Sequence, residues 1–121
     1  MTDARVLIVD DLLRTRQSLS ALLATWPHLA SVQEATNAEQ ALACIEAARP
    51  DVVLMDVRMP GMDGLEATRR IKSDWPEVKV IVLSLYGDYA GDALAAGADA
   101  FVCKCDPTER LLAELARLMP N

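Results

Sequence analysis

The sequence contains a single histidine, His28, and three cysteines, Cys44, Cys103 and Cys105. Cys103-Lys104-Cys105 lacks the spacing of a zinc finger, and His28 has no cysteine neighbour. An odd set of this kind predicts three reduced thiols in a cytosolic protein, the alternative being a redox role for the Cys103-Lys104-Cys105 pair. No apolar run approaches the roughly 20 residues that a membrane span needs. The opening Met-Thr-Asp-Ala-Arg lacks the basic-then-apolar order of a signal peptide, so the expected location is the cytoplasm. Positive charge is also scarce: 12 basic against 18 acidic residues give a net charge of −6. That balance argues against a domain that itself grips nucleic acid or an anionic membrane. Repeats, low-complexity segments and internal linkers are missing as well.

What the chain does have is aliphatic content. It is 52% hydrophobic over 121 residues, enough for one domain with a real core, spanning residues 1–121. Short β-branched runs recur at Val6–Val9, Val52–Met55, Val80–Leu83 and Phe101–Cys103. Continuous runs of this length predict buried parallel strands. The partly polar Ala30–Ala35 suits a strand at a sheet edge. Helical periods fall between the runs: Leu19, Leu22, Leu23 and Trp26; Ala38, Ala41, Leu42 and Ile45; Leu111, Leu115 and Leu118, widened by Leu112 and Met119. Asn37 with Gln40 has the form of a capping box. Asp106 as cap, Pro107 at the first helical position and Glu109 repeat the pattern. Gly97 marks the end of a helix running from about Asp88. Five βα units result, which predicts an α/β fold with one parallel sheet covered by helices on both faces.

In such sheets function gathers outside the carboxyl ends of the strands. The residues there are Asp10 and Asp11, Asp56, Ser84 and Lys104, each following a different apolar run. Two carboxylates about 4 Å apart repel by roughly 4 kcal/mol at an effective dielectric near 20. Three crowded carboxylates therefore require a raised pKa or the arrival of cations. Lys104 supplies one positive charge and a divalent cation would supply two more. Oxygen-only donors favour Mg²⁺ or Mn²⁺, and an open site that keeps several waters suits Mg²⁺. A metal beside a carboxylate, with an ammonium and a hydroxyl at hand, fits phosphoryl transfer in which the carboxylate is the nucleophile.

At these residues the chain resembles a response-regulator receiver domain, the phosphoacceptor half of two-component signalling. The resemblance runs from Arg5 to about Met119. It is most specific in Val52-Val53-Leu54-Met55-Asp56-Val57-Arg58-Met59-Pro60-Gly61-Met62-Asp63-Gly64. The resemblance implies a flavodoxin-like sheet of order 2-1-3-4-5. It implies Asp56 as phosphoryl acceptor, Asp11 as direct Mg²⁺ ligand and Asp10 as a ligand acting largely through water. Asp56 itself and the main-chain carbonyl of Arg58 would complete the protein's share of the metal shell. It further implies Lys104 as the partner of the phosphoryl group, Ser84 as the switch hydroxyl and Phe101 as the aromatic that turns inward. Leu85 and Tyr86 flank the site: Leu85 is expected to narrow access to Asp56, and Tyr86 with Arg58 to restrict the attacking water.

Ser84-Leu85-Tyr86, Gly97 through Lys104, and Asp106-Pro107-Thr108-Glu109 are similar to the NarL/FixJ subgroup. Members normally carry a helix-turn-helix DNA-binding domain after the receiver. The expectation is thus a stand-alone receiver, or one whose DNA-binding domain is absent from this sequence. The implied partners are a histidine kinase or phosphotransfer protein, with a homodimer through helix 4, strand 5 and helix 5. The implied activity is a slow self-dephosphorylating switch rather than an enzyme. Two alternatives remain. A pseudo-receiver would act only as a protein-binding module. A Mg²⁺-dependent aspartyl-phosphate hydrolase would need a second acid, which Asp56-Val57-Arg58 lacks. Cys105 after Lys104, where many receivers have proline, predicts no cis peptide there.

Overall fold

The computed structural model describes residues 3–119. Five strands and five helices alternate: β1 Ala4–Val9, α1 Leu13–Leu23, β2 Leu29–Ala35, α2 Ala38–Ala47, β3 Val52–Asp56, α3 Gly64–Asp74, β4 Lys79–Ser84, α4 Ala90–Ala95, β5 Ala100–Cys103 and α5 Thr108–Leu118. The strands form one parallel sheet in the order β2-β1-β3-β4-β5. The expected fold is thereby observed, with β2 at an edge. Among the described residues, no helix is long and apolar enough to cross a membrane.

Alternation along the strands divides the core in two. Leu7, Val9, Val53, Met55, Val80 and Val82 face α2, α3 and α4, where Ala38, Ala41, Ile45, Ala67, Ile71 and Ala93 meet them. Val6, Ile8, Val52, Leu54, Ile81, Leu83, Ala100 and Val102 face α1 and α5 and pack on Leu23, Leu111 and Leu115. Both faces of the central strands are dry, which explains why they read as continuous aliphatic runs.

The helix signals hold in part. Asn37 Oδ1 accepts from the Gln40 N–H at 2.8 Å, as a cap should, while the Gln40 side chain returns to the Thr36 N–H. Asp106 does not cap α5. Pro107 holds that position, and Asp106 Oδ2 instead accepts from the Cys103 N–H at 3.2 Å. The carboxylate is drawn back onto the end of β5. Trp26 is buried but lies beyond α1, in a turn closed by its N–H to the Leu23 carbonyl. The helix expected from Asp88 opens with a 3-10 turn, Gly87–Tyr89, before α4. Gly97 follows at φ +100°, a left-handed conformation that glycine adopts freely. α3 gave no apolar period in the sequence because its buried positions are Gly64, Ala67, Thr68 and Ile71, with only one large aliphatic among them.

Candidate functional site

The parallel sheet gathers the acids at one end. Asp10 directly follows β1, its N–H bonded to the Ala35 carbonyl of β2 at 3.1 Å. Asp56 is the last residue of β3 and Ser84 the last of β4. Lys104 follows β5, its N–H bonded to the Ser84 carbonyl at 2.7 Å. Hydrogen bonding across the strand ends thus fixes where each side chain begins.

Asp10, Asp11 and Asp56 each offer a carboxylate oxygen, and the three atoms lie within 4.8 Å of one another. Asp10 is 1% exposed and Asp56 8%, with Asp11 the most open of the three. The Lys104 ammonium lies between the two buried acids, 3.0 Å from Asp10 Oδ2 and 3.1 Å from Asp56 Oδ1. Burial raises the pKa of Asp56. Lys104 pulls it back, and the charges of Asp10 and Asp11 push it up further. Burial acts to lower the pKa of Lys104, but the hydrogen bonds and charges of Asp10 and Asp56 prevail and hold it above the usual lysine range. Both directions describe one cluster that carries an excess of negative charge in a poorly solvated place.

That donor set fits a hard divalent cation. All three offered ligand atoms are carboxylate oxygens, converging from the ends of two adjacent strands, and the single Lys104 ammonium leaves two of their negative charges uncompensated. The remaining expected residues lie on β5 and at the ends of β3 and β4. Ser84 is buried, its Oγ accepting from the Tyr86 N–H at 3.1 Å. Its hydroxyl proton is thus left for another acceptor. Phe101 is half-buried and packs on the α2–α3–α4 side of the sheet. Leu85 and Tyr86 are exposed on the rim. The Arg58 guanidinium carbon lies 5.8 Å from the centre of the Tyr86 ring.

Two supporting residues were not legible as such. Arg16 projects from α1 beneath the acidic loop. Its Nη1 donates to the Asp10 carbonyl at 2.8 Å and its Nε to Glu34 Oε1 at 2.9 Å, with only 11% of the side chain exposed. It ties β1's end to β2. Gly64, the first residue of α3, lies against the peptide of Asp56. A Cβ there would overlap the Asp56 carbonyl oxygen and come within 2.8 Å of its carbonyl carbon. Nothing in the spacing of Arg16 distinguishes it from a surface arginine. Gly64 stands in the most specific sequence stretch, but its reason is spatial.

The thiol expectation is corrected at two positions. Cys103 and Cys105 form a disulfide across Lys104, while Cys44 remains a free thiol. The chain turns here, bringing the two Cα atoms to 5.2 Å. Disulfides span about 4.4–6.8 Å. No cis peptide occurs among the described residues.

Comparison with known proteins agrees with this geometry. The family model described as the response regulator receiver domain matches residues 6–116. The transcriptional regulatory protein DegU of Brevibacillus brevis is 36% identical over 102 residues, covering 83% of this chain and 43% of DegU. The response regulator protein VraR of Staphylococcus aureus is 37% identical over 102 residues, again 83% of this chain and 49% of VraR. The chain therefore spans about half the length of these curated relatives. Among solved structures, a LuxR-family two-component response regulator from Aurantimonas sp. SI85-9A1 superposes with a TM-score of 0.89 at 32% identity, covering 97% of this chain and 86% of that one. The chemotaxis response regulator CheY4 of Vibrio cholerae gives 0.86 at 31% identity, covering 98% of this chain and 100% of that one. The chain belongs to the response regulator receiver domain family of two-component systems, whose general function is a phosphorylation switch, and it is of the NarL/FixJ-like kind.

Proposed function

We propose that residues 1–121 form one receiver domain that accepts a phosphoryl group on Asp56. The observation that carries this reading is the placement of the Lys104 ammonium, 3.0 Å from Asp10 and 3.1 Å from Asp56, beside the third acid, Asp11. Asp10, Asp11 and Asp56, with the Arg58 main-chain carbonyl, would hold Mg²⁺, whose charge would neutralise phosphoryl oxygens and admit an anionic donor.

The chain's own residues account for the remainder. A carboxylate oxygen of Asp56 attacks the phosphorus of a phosphohistidine on a histidine kinase or phosphotransfer protein. The O–P bond forms as the P–N bond breaks, and the imidazole leaves with the electron pair and takes up a proton. The Lys104 ammonium passes from the carboxylate to a phosphoryl oxygen. Ser84 turns its hydroxyl to donate to another. The ends of β4 and β5 then draw together, and Phe101 packs further inward. Water later cleaves the acyl phosphate, returning the Asp56 carboxylate and inorganic phosphate. The domain is thus a switch that consumes its own phosphoryl group and turns over no separate substrate.

The surface that changes is α4, β5 and α5. Leu111 and Leu115 belong to the core, whereas Leu94 is 58% exposed on α4. This supports homodimerisation through that face, with Leu94 as a contact. The relatives of which this chain spans about half are named as regulators, DegU as a transcriptional one, which supports a role in transcription control inside the cytoplasm.

The test is incubation with acetyl phosphate, or with BeF₃⁻, each with Mg²⁺. The expected result is a phosphoryl mass shift with acetyl phosphate and a conformational change with BeF₃⁻, both of which Asp56→Asn abolishes. Turnover of free phosphoesters would favour a hydrolase instead. Absence of any response would favour a pseudo-receiver.

A further inference from the structure

Cys103 and Cys105 lie on either side of Lys104, the cation on which the acid cluster depends. Their disulfide closes a small ring that contains the Lys104 backbone. Hydrogen bonds reinforce the same turn. The Cys103 N–H donates to Asp106 Oδ2 at 3.2 Å, the Asp106 N–H to the Cys103 carbonyl at 2.9 Å, and the Lys104 N–H to the Ser84 carbonyl at 2.7 Å. Cys103 Sγ lies 3.6 Å from the Leu85 carbonyl oxygen, so the ring also abuts the loop that follows the switch serine. Cys105 is exposed and Cys103 half-buried, which leaves one sulfur open to an exchanging thiol or disulfide. Cys44, on α2, takes no part.

We infer that Cys103 and Cys105 form a reversible redox modification site that sets how firmly Lys104 is held against Asp10 and Asp56. The inference rests on the receiver reading for its consequence, though not for its chemistry. Disulfides in reducing compartments are usually transient and serve sensing or catalysis rather than stability. The oxidant is a low-molecular-weight disulfide such as oxidised glutathione. The exposed Cys105 thiolate attacks it, forming a mixed disulfide and releasing one glutathione thiolate. The Cys103 thiolate then displaces the second. Two electrons pass from the cysteine pair to the glutathione disulfide, and the two protons lost by the cysteines go to the two glutathione thiols.

The direction of the effect follows from where Lys104 points. In the oxidised structure its ammonium already bridges Asp10 and Asp56. Reduction opens the ring and returns backbone freedom to the turn. That freedom must be lost again each time the ammonium is placed on a phosphoryl group. Freeing about one residue's backbone corresponds to a roughly five- to tenfold slower phosphoryl acceptance. The oxidised form is therefore the faster acceptor, and reduction damps the switch without removing any of its acids.

The experiment equilibrates the protein in oxidised and reduced glutathione at a series of ratios. Free thiols are alkylated and the protein digested with trypsin. Lys104 is itself a cleavage site between the two cysteines, so an intact disulfide holds the two flanking peptides together. Cys103 and Cys105 are expected to lose alkylation together as the ratio rises, while Cys44 stays alkylated. Each form is then labelled with acetyl phosphate and Mg²⁺. The oxidised form is expected to label about five- to tenfold faster, and Cys105→Ser to label at the reduced rate whatever the ratio. Alkylation of both cysteines at every ratio overturns the redox site. Equal labelling of the two forms overturns the coupling to Lys104 and leaves the receiver reading standing. No labelling of either form overturns the receiver reading and the coupling with it, while the alkylation pattern still decides the thiol chemistry.

Discussion

Arg58 and Tyr86, from the loops after β3 and β4, meet side chain to side chain beyond the strand ends that carry Asp56 and Ser84. The guanidinium carbon of Arg58 stands 5.8 Å from the Tyr86 ring centre. Both side chains are otherwise exposed. A cation–π contact at an exposed site is worth about 0.5–1 kcal/mol, enough to keep two mobile side chains together for much of the time.

On the proposed function, the pair would restrict the water that attacks phosphorylated Asp56. Arg58→Ala and Tyr86→Ala should each speed loss of the phosphoryl group by roughly two- to fivefold. The double variant should gain little over either single one, because each alone breaks the contact. Following dephosphorylation after rapid removal of acetyl phosphate tests this. Unchanged lifetimes would show that the two residues leave the water's path open.

Gly64 sets how closely α3 approaches β3. Gly64→Ala places a methyl group on the Asp56 carbonyl oxygen, a backbone atom that cannot swing aside. Overpacking of a well-filled core costs typically about 1–3 kcal/mol, and a backbone clash belongs at or above the upper end. Thermal or urea unfolding should show a loss of about 3 kcal/mol. The Asp56 side chain should also move, so phosphoryl uptake should fall in whatever fraction remains folded.

Arg16 acts on the site from below. Arg16→Met removes its hydrogen bonds to the Asp10 carbonyl and Glu34. Hydrogen bonds involving a charged group contribute about 1.5–3 kcal/mol each, and Glu34 is partly solvated, so the expected loss of stability is about 2 kcal/mol. The loop carrying Asp10 and Asp11 should loosen too. Titration of Mg²⁺ by calorimetry should show weaker binding by roughly tenfold, whereas a purely structural arginine would leave the affinity of the folded protein unchanged.

Added Mg²⁺ should stabilise the fold by relieving the crowded acids. At a hundred times its dissociation constant, a ligand that binds only the native state contributes about 2.7 kcal/mol. For a domain of this size that is roughly 8–16 °C in Tm. Asp56→Asn should raise Tm without Mg²⁺, since burial disfavours the ionised carboxylate, and should shrink the gain on adding it. A Tm insensitive to Mg²⁺ in the unsubstituted protein would remove the metal from this account.

The strands and their edge position could be read from the sequence because both follow from local composition. Val52–Met55 is buried on both faces and had to be aliphatic throughout. β2 pairs only with β1 and retained polar residues. The acids were legible for a related reason: in a parallel sheet every strand ends on the same side, so the residue after each run shares one crevice. Asp10, Asp11, Asp56, Ser84 and Lys104 were placed by that rule alone, and the family resemblance assigned their roles.

What the sequence could not determine is everything that depends on distance between elements. α3 was invisible as a period because a glycine, an alanine and a threonine suffice where a helix packs very close. Asp106 looked like a helix cap, yet a nearer donor, the Cys103 N–H, claimed its carboxylate. Arg16 and Gly64 resemble many other arginines and glycines until the Asp10 and Asp56 carbonyls lie beside them. Cys103 and Cys105 became a bonded pair only because the chain turns at Lys104. Local sequence determined which segments are buried and which residues end them. The tertiary structure alone decided which groups touch, because hydrogen bonds, steric exclusion and the disulfide act over a few ångströms that sequence separation does not measure.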